Sequence, residues 1–216
     1  MCGISGGIGA SAPSKQLLEA QLNSIKHRGP DDTGTFLNQE ISLGMCRLAI
    51  VEVAAGKQPA SDASEKIHIV WNGEIYNYRE LRSELEQRGV HCRDSSESEV
   101  VINLYLEFGL DFINKLNGMF AIAIHDSRDK SLHLIRDRMG KKPLWISQLN
   151  DGTLFFASEV RALMLARPDR TLRNDMVAEV MQYGYVNAPH SAFNEITQVP
   201  PGSVLTWHDG KTITKK

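Results

Sequence analysis

The sequence predicts an α+β fold built on antiparallel sheet. Four short apolar segments follow one another between residues 119 and 158, separated by only a few turn residues. Such close spacing leaves no room for crossover helices, so the segments are expected to pair as antiparallel strands. Helical patterns precede and follow these strands along the chain, and helices stacked on such a sheet form a layered α+β domain.

The first half of the chain supplies one helix and two strands. Residues 14–26 place apolar side chains on one helical face, and Ser14 can cap the helix. Residues 41–48 alternate apolar and other side chains, which predicts a half-buried strand. Residues 67–71 alternate in the same way and run into the Asn-Gly dipeptide 72–73, which favours a turn.

The second half supplies helices on both sides of the closely spaced strands. Residues 78–88 and 97–108 show helical periodicity, and each run ends at a glycine. Residues 119–126 are too apolar for an exposed strand and too short for a helix, which predicts a central strand. Further strands are predicted at 131–137, 143–147 and 153–158, and a short helix at about 174–183. The proline-containing tail after that helix is predicted to be irregular, an appendage and not a second domain.

Composition argues against several classes of partner. The 216 residues are 42% hydrophobic and 23% charged, as in an ordinary globular protein, and the net charge is -2. So balanced a charge gives no reason to expect nucleic acid or a membrane surface as a partner. The sequence also contains no apolar run of the roughly 18 residues that a membrane helix needs, and no pattern of a secretory signal.

Cysteine usage predicts a reducing compartment, and hence a cytoplasmic protein. The chain has three cysteines, at positions 2, 46 and 92, and no CxxC spacing. An odd number without that spacing argues against a disulfide framework and against a zinc site. We therefore expect no bound metal, and we interpret Cys46 and Cys92 as small buried apolar side chains.

Cys2 directly follows the initiator methionine in the stretch MCGISGGIG. A free thiol titrates at about pH 8.5 and an α-amine at about 7.7–8.0, so removal of Met1 would leave a nucleophile that carries its own base. The alternative is an ordinary exposed second residue, and Cys2 alone favours that alternative. The glycine run lacks the lysine of a phosphate loop and the GxGxxG spacing of a dinucleotide fold.

Two later segments carry polar groups at strand ends. In RLAIVE (47–52), the Arg47 guanidinium suits a carboxylate held by two hydrogen bonds, although Arg47 alone favours a structural salt bridge. In WNGEIYNY (71–78), the Asn72 amide and the Gly73 N–H are two donors that could hold an oxyanion. Glu74 could accept hydrogen bonds from an ammonium group. For the Asn-Gly pair in isolation, a simple turn is the default interpretation.

Taken together, these groups suit the cleavage of an amide. A nucleophile with its own base, two oxyanion donors, an arginine and a carboxylate match a substrate that bears both an α-carboxylate and an α-ammonium group. The side-chain amide of glutamine meets that description. The sequence does not show that these groups lie near one another.

The order of the motifs resembles a known family. The chain is similar to the glutaminase domain of the class II glutamine amidotransferases, which are N-terminal nucleophile hydrolases, and most resembles the N-terminal half of the glutamine-dependent asparagine synthetases. The matching segments are MCGI, HRGPDDTG (27–34), RLAIVE (47–52), NGEIYNY (72–78), SESEV (96–100), NGMFAIAI (117–124), RDRMGKKPLW (136–145) and FASEVRAL (156–163).

The resemblance implies an αββα sandwich, in which two antiparallel sheets are covered by helices on both sides. It implies that Met1 is removed and that Cys2 attacks the glutamine amide, forming a thioester and releasing ammonia. It assigns the oxyanion hole to Asn72 and the Gly73 N–H. It assigns the glutamine pocket to Arg47, the backbone of Ile50 and Val51, and two carboxylates, Glu74 and Glu97. Glu97 stands where the family usually has Asp, one methylene shorter.

The resemblance also implies a larger enzyme. Residues 1–190 would be the glutaminase domain, and 191–216 a segment leading toward a synthetase domain that amidates aspartate. No cofactor is expected in this chain, and ATP and Mg are expected only in that synthetase domain. A homodimer is a possible assembly. Two alternatives stay open, namely an ammonia acceptor other than aspartate, and a catalytically silent subunit with this fold.

Overall fold

Two antiparallel sheets form the centre of the structure, a computed structural model that describes residues 1–48 and 56–216. Within those residues each sheet has six strands. The first sheet contains β1 (Gly3–Ile8), β2 (Asp32–Leu37), β3 (Ile41–Arg47), β8 (Trp145–Gln148), β9 (Leu154–Ala157) and β10 (Thr197–Gln198), in the order β10-β8-β9-β1-β3-β2. The second contains β4 (Ala60–Ser61), β5 (Ile67–Ile75), β6 (Gly118–Asp126), β7 (Ser131–Arg136), β11 (Ser203–His208) and β12 (Lys211–Lys215), in the order β12-β11-β7-β6-β5-β4.

Helices cover the outer faces of both sheets. They are α1 (Lys15–Ser24), α2 (Tyr78–Gln87), α3 (Glu97–Phe108) and α4 (Val160–Ala166), with 3-10 turns at Lys26–Arg28 and Gly109–Lys115. A further helix, α5 (Met176–Tyr183), has no buried residue. Leucines of α1 and α4 pack with β9 residues on the first sheet. Apolar residues of α2 and α3 pack on β5 and β6 of the second sheet. None of the helices in the described ranges is long and apolar enough to span a membrane.

The largest shared layer of the core lies between the two sheets. Its members come from the inward faces of both, among them Ile4, Leu43 and Met45 of the first sheet and Val70 and Ala123 of the second. Because β5 alternates, Ile67, Ile69 and Trp71 face α3 on the opposite side. The layer order is therefore helix, sheet, sheet, helix, which confirms the predicted αββα sandwich.

The strand predicted at 41–48 is present, but it is buried on both faces and not on one. Its alternate positions are small residues that face α1. A side chain on Gly44 would meet Leu22 of α1 at 2.7 Å, and Cys46 packs with the same helix. The small residues of β3 thus let α1 pack closely on that face of the strand, so the face is buried and not exposed to solvent.

The Asn-Gly turn predicted at 72–73 is wrong, because β5 continues through both residues to Ile75. Gly73 lies opposite Phe120 of β6, and a Cβ at that position would be 2.2 Å from the carbonyl oxygen of Met119. The glycine therefore permits close approach of two strands, and Asn72 is placed on a rigid element.

The prediction of an irregular tail is also wrong. β11 pairs with β7 along Ser203 to Trp207, β12 pairs with β11, and β10 pairs with β8. The apolar side chains Leu205 and Trp207 are buried in the layer between the sheets. The tail therefore contributes to both sheets, whereas its expected role as a lead into a synthetase domain stays a prediction.

Candidate active site

One cavity of about 420 Å³ is lined by almost every residue that the sequence predicted to belong to the functional site. It lies where β1 begins, β3 ends and β5 approaches its end. Antiparallel pairing of β1 with β3 sets Gly3 opposite Cys46, so that Cys2 lies next to the end of β3. The predicted residues that line the cavity are Cys2, Arg47, Asn72, Gly73, Glu74 and Glu97. Ile50 and Val51 lie outside the described residues.

Cys2 is held at both its sulfur and its carbonyl group. The Leu48 N–H donates to Sγ over 3.4 Å, and the Arg28 guanidinium donates from Nε to the Cys2 carbonyl over 3.1 Å. Arg28 is itself held by Glu159, whose Oε1 lies 2.9 Å from a guanidinium nitrogen. These contacts position a residue that would otherwise be a frayed terminus.

Glu159 and Arg28 are site residues that the sequence analysis did not identify. Burial raises the pKa of Glu159, but hydrogen bonds from Arg28 and His27 outweigh it and lower the pKa overall. Both partners belong to segments that carry the family resemblance, HRGPDDTG and FASEVRAL. The segments were visible in the sequence, but the contact joins residues 131 positions apart and has no local signal.

Asn72 offers a buried donor with no acceptor. Its side chain is 2% exposed, and Nδ2 has no hydrogen-bond partner among the residues that the structure describes. An unsatisfied buried donor costs about 1–3 kcal/mol, so an amide kept this way is suited to a ligand acceptor.

The backbone N–H groups of Trp71, Gly73 and Ile75 lie on the same edge of β5, and this edge faces away from β6. The Trp71 N–H on that edge donates to Gln58, and the Ile75 N–H donates to Oε1 of Glu97 over 3.1 Å. Because alternate peptide groups of a strand face the same edge, the Gly73 N–H lies between these two bonds. It is therefore a second donor at the cavity, beside Asn72.

Acidic and basic groups line the rest of the cavity. Arg47 ends β3, Glu74 follows the two donors on β5, and Glu97 is the first residue of α3. The helix begins there because the Ser96 side chain caps it, accepting from the Glu99 N–H over 3.2 Å. The cavity thus offers separate positions for an anionic and a cationic group of one small molecule.

The other two cysteines are not in the cavity. All three cysteines are free, and burial raises the pKa of both Cys46 and Cys92. A raised pKa disfavours the thiolate that a nucleophile needs. The interpretation as a small buried side chain is confirmed for Cys46, whereas Cys92 is only partly buried, and Cys2 is the only thiol that lines the cavity among the described residues.

The profile of the glutamine amidotransferase domain family matches residues 1–216. The chain belongs to that family. This amidotransferase domain is 36% identical, over 100% of its length, to glutamine-hydrolyzing asparagine synthetase 1 of Bacillus subtilis (strain 168), and it covers 35% of that protein. It is 39% identical, over 76% of its length, to glutamine-hydrolyzing asparagine synthetase 3 of Arabidopsis thaliana, of which the match covers 28%.

Solved structures confirm the fold of the amidotransferase domain. Glutamine phosphoribosylpyrophosphate amidotransferase from B. subtilis matches 100% of this chain with a TM-score of 0.75 at 20% identity, over 49% of its own length. A structure described as the allosteric regulatory enzyme of purine biosynthesis matches with a TM-score of 0.76 and the same identity. The domain spans about a third of the length of the B. subtilis asparagine synthetases that it matches.

Proposed function

We propose that this amidotransferase domain hydrolyses the side-chain amide of L-glutamine, with Cys2 as the nucleophile. The observation that carries the proposal is the cavity that gathers the Cys2 thiol, the unpartnered Asn72 amide and the Gly73 N–H. A nucleophile beside two such donors is the arrangement that acyl transfer requires.

The reaction starts once Met1 is removed. The α-amine of Cys2 takes the thiol proton, and Sγ bonds to the amide carbon of glutamine. Asn72 and the Gly73 N–H hold the oxyanion that forms. The C–N bond then breaks, and the nitrogen leaves as ammonia with the proton returned by the amine. Water, deprotonated by the same amine, cleaves the thioester to glutamate and restores the thiol.

The charged groups of the cavity bind the other end of glutamine. Arg47 pairs with the α-carboxylate, which its planar guanidinium can hold by two hydrogen bonds. Glu74 and Glu97 accept from the α-ammonium group. One carboxylate oxygen of Glu97 is already bound to the Ile75 N–H, which fixes the longer side chain in place of the family's usual Asp. The family resemblance adds the backbone of Ile50 and Val51, two residues outside the described ranges, as expected contacts of glutamine.

Ammonia from this domain is proposed to serve the amidation of aspartate. Support comes from relatives that are glutamine-hydrolyzing asparagine synthetases and that extend well beyond the matched region. A synthetase domain or subunit that binds ATP and Mg would receive the ammonia. Three free cysteines fit a reducing compartment, the cytoplasm. The reading frame that follows Lys216 tests the acceptor, because an aspartate-adenylating domain should be encoded there.

The test of the glutaminase is the Cys2→Ala variant, assayed for glutamate and ammonia released from glutamine. We expect turnover by protein whose mass shows that Met1 is absent, and none by Cys2→Ala or by protein that retains Met1. Cys92→Ser is the matched control, since that thiol lies outside the cavity, and it should keep full activity. Unchanged ammonia release from Cys2→Ala would rule out the proposal.

A further inference from the structure

Lys142 lines the cavity on the side of Cys2, and glutamine binding has no use for it. Its main chain is fixed from both sides. The Lys142 N–H donates to Asp137 over 3.0 Å, and its carbonyl accepts from Arg136 over 3.0 Å. Both partners are buried, so the side chain projects into the cavity from a rigid loop.

The ammonium group of Lys142 is buried without an ion pair. The residue is 5% exposed, and no carboxylate of the described residues lies within 4 Å of Nζ. Burial and the charge of Arg28 lower the pKa of Lys142, although Asp137, Cys2 and Glu74 partly offset them. A buried cation without a partner is costly, and such groups are retained where their charge serves a site.

The contact that Lys142 does make is with residue 1. Its Nζ lies 3.3 Å from Sδ of Met1, a side chain that itself lines the cavity. The nitrogen bonded to Met1 is the one that becomes the α-amine of Cys2 once Met1 is removed. Five covalent bonds separate Sδ from that nitrogen, so the Lys142 ammonium lies in the same part of the cavity as the future base without contacting it.

We propose that the Lys142 ammonium keeps the α-amine of mature Cys2 unprotonated, and so keeps it able to act as a base. A cation near an amine disfavours a second positive charge on it. Lys142 acts through Cys2 and does not bind glutamine. Only its consequence for turnover rests on the proposed glutaminase function.

Within the described residues, the other charged groups around Cys2 have ion-pair partners or proposed roles of their own. Arg28 contacts the Cys2 carbonyl, and Glu159, 2.9 Å from its guanidinium group, offsets part of its charge. Arg47, Glu74 and Glu97 line the same cavity and are given to the two charged ends of glutamine. Further titratable groups nearby are Lys26 and His27 before Arg28, Asp31 and Asp32 near Arg47, the Cys46 thiol on β3, Tyr78 in the cavity lining, and Arg136 and Asp137 bonded to the Lys142 main chain.

The direct test measures the α-amine in a background that cannot turn over. In Met1-free Cys2→Ser protein, acetylation of the residue 2 amine is followed by mass spectrometry as a function of pH, since only the neutral amine reacts. We expect Lys142→Met to raise the midpoint by about one pH unit, a tenfold slower reaction below it. Lys142→Arg should restore the midpoint, and the exposed neighbour in Lys141→Met should leave it unchanged. A Lys142→Met midpoint equal to the parent's would overturn the proposal.

The second test uses the active chain. The acid limb of the kcat/KM profile for glutamine should move to higher pH in Lys142→Met, with kcat reduced more than KM is raised. If Lys142→Met does not fold, Lys142→Gln replaces it in both experiments. A shifted amine midpoint without any glutamine hydrolysis would sustain this inference while removing the proposed function. Hydrolysis with an unshifted midpoint would do the reverse.

Discussion

Asn72 is the residue whose environment is hardest to explain without a ligand. Its amide is buried beside Gly73 within β5, and Nδ2 lacks an acceptor within the described parts of the chain. Most buried polar groups are paired, so an unpaired one is either a defect or a reserved donor. In the proposed reaction the acceptor is the oxyanion, which exists only after Cys2 has attacked.

We therefore expect Asn72→Ala to lower kcat about 10²–10³-fold and to change KM little, because the lost hydrogen bond forms in the transition state. Steady-state release of glutamate measures both constants. Asn77→Ala is the matched control, since its Nδ2 donates to the Lys115 carbonyl over 2.9 Å outside the cavity. It should reduce stability and keep kcat. A threefold or smaller loss of kcat in Asn72→Ala would remove Asn72 from the oxyanion hole.

At the scale of residues, sequence analysis identified the groups with recognisable chemistry. Cys2, Asn72, Gly73 and Glu74 were all named from their chemical types, and they line one cavity. Lys142 was not named, because a lysine in a turn is ordinary until its burial is known. The family resemblance alone pointed to Glu97.

At the scale of elements, the start of α3 links stability to the cavity. Ser96 caps the helix through the Glu99 N–H, and the next residue, Glu97, lines the cavity. α1 has an equivalent cap, in which Ser14 accepts from the Leu17 N–H over 3.2 Å. Unlike Glu97, Ser14 and Leu17 do not line the cavity. The two serines therefore form a natural pair for comparison.

Loss of either cap is expected to cost about 1 kcal/mol of unfolding free energy. For a chain of this size, that lowers the melting temperature by about 2–4 °C. Ser96→Ala should in addition raise KM for glutamine, because Glu97 then begins a frayed helix, whereas Ser14→Ala should leave KM unchanged. Thermal melts and steady-state kinetics on the two variants test this. Equal KM values would show that the cap does not position Glu97.

Helices and strands were predicted correctly where the spacing of apolar residues along the sequence matches the face that is buried. α3 spans Glu97–Phe108, as its pattern predicted, and Ser14 caps α1. Asn72-Gly73 was misinterpreted because local propensity favours a turn, whereas close packing of β5 on β6 requires a glycine in mid-strand. Strand β2 was not predicted, since its exposed alternate residues carry little apolar signal.

At the scale of the whole molecule, the last strands decide whether the sandwich closes. β11 covers the edge of β7 and buries Leu205 and Trp207, and the Trp207 indole donates to the Gly152 carbonyl over 2.7 Å. Each such side chain contributes about 1.5–3 kcal/mol when fully buried. Against a total stability of about 5–15 kcal/mol, their loss is large.

A chain that ends at residue 190, the domain boundary predicted from the sequence, is therefore expected to be insoluble or to melt far below the full chain. A chain that ends at Gly210 keeps β11 and loses only β12, whose side chains are largely exposed, and it should melt within a few degrees of the full chain. Circular-dichroism melts and soluble yield compare the two. A folded 1–190 fragment of normal stability would contradict this view of β11.

The sequence by itself determined the fold class and most helices and central strands, and it pointed to the thiol that we propose as the nucleophile and to the types of group that surround it. These follow from local patterns, because hydrophobic period reports which face is buried and residue type reports chemistry. Only the tertiary structure decided that Arg28 joins Cys2 to Glu159, that Lys142 contacts Met1 in the same cavity, and that the tail belongs to both sheets. Those contacts join residues far apart in the chain, so they depend on how whole elements pack and leave no periodic trace in the sequence.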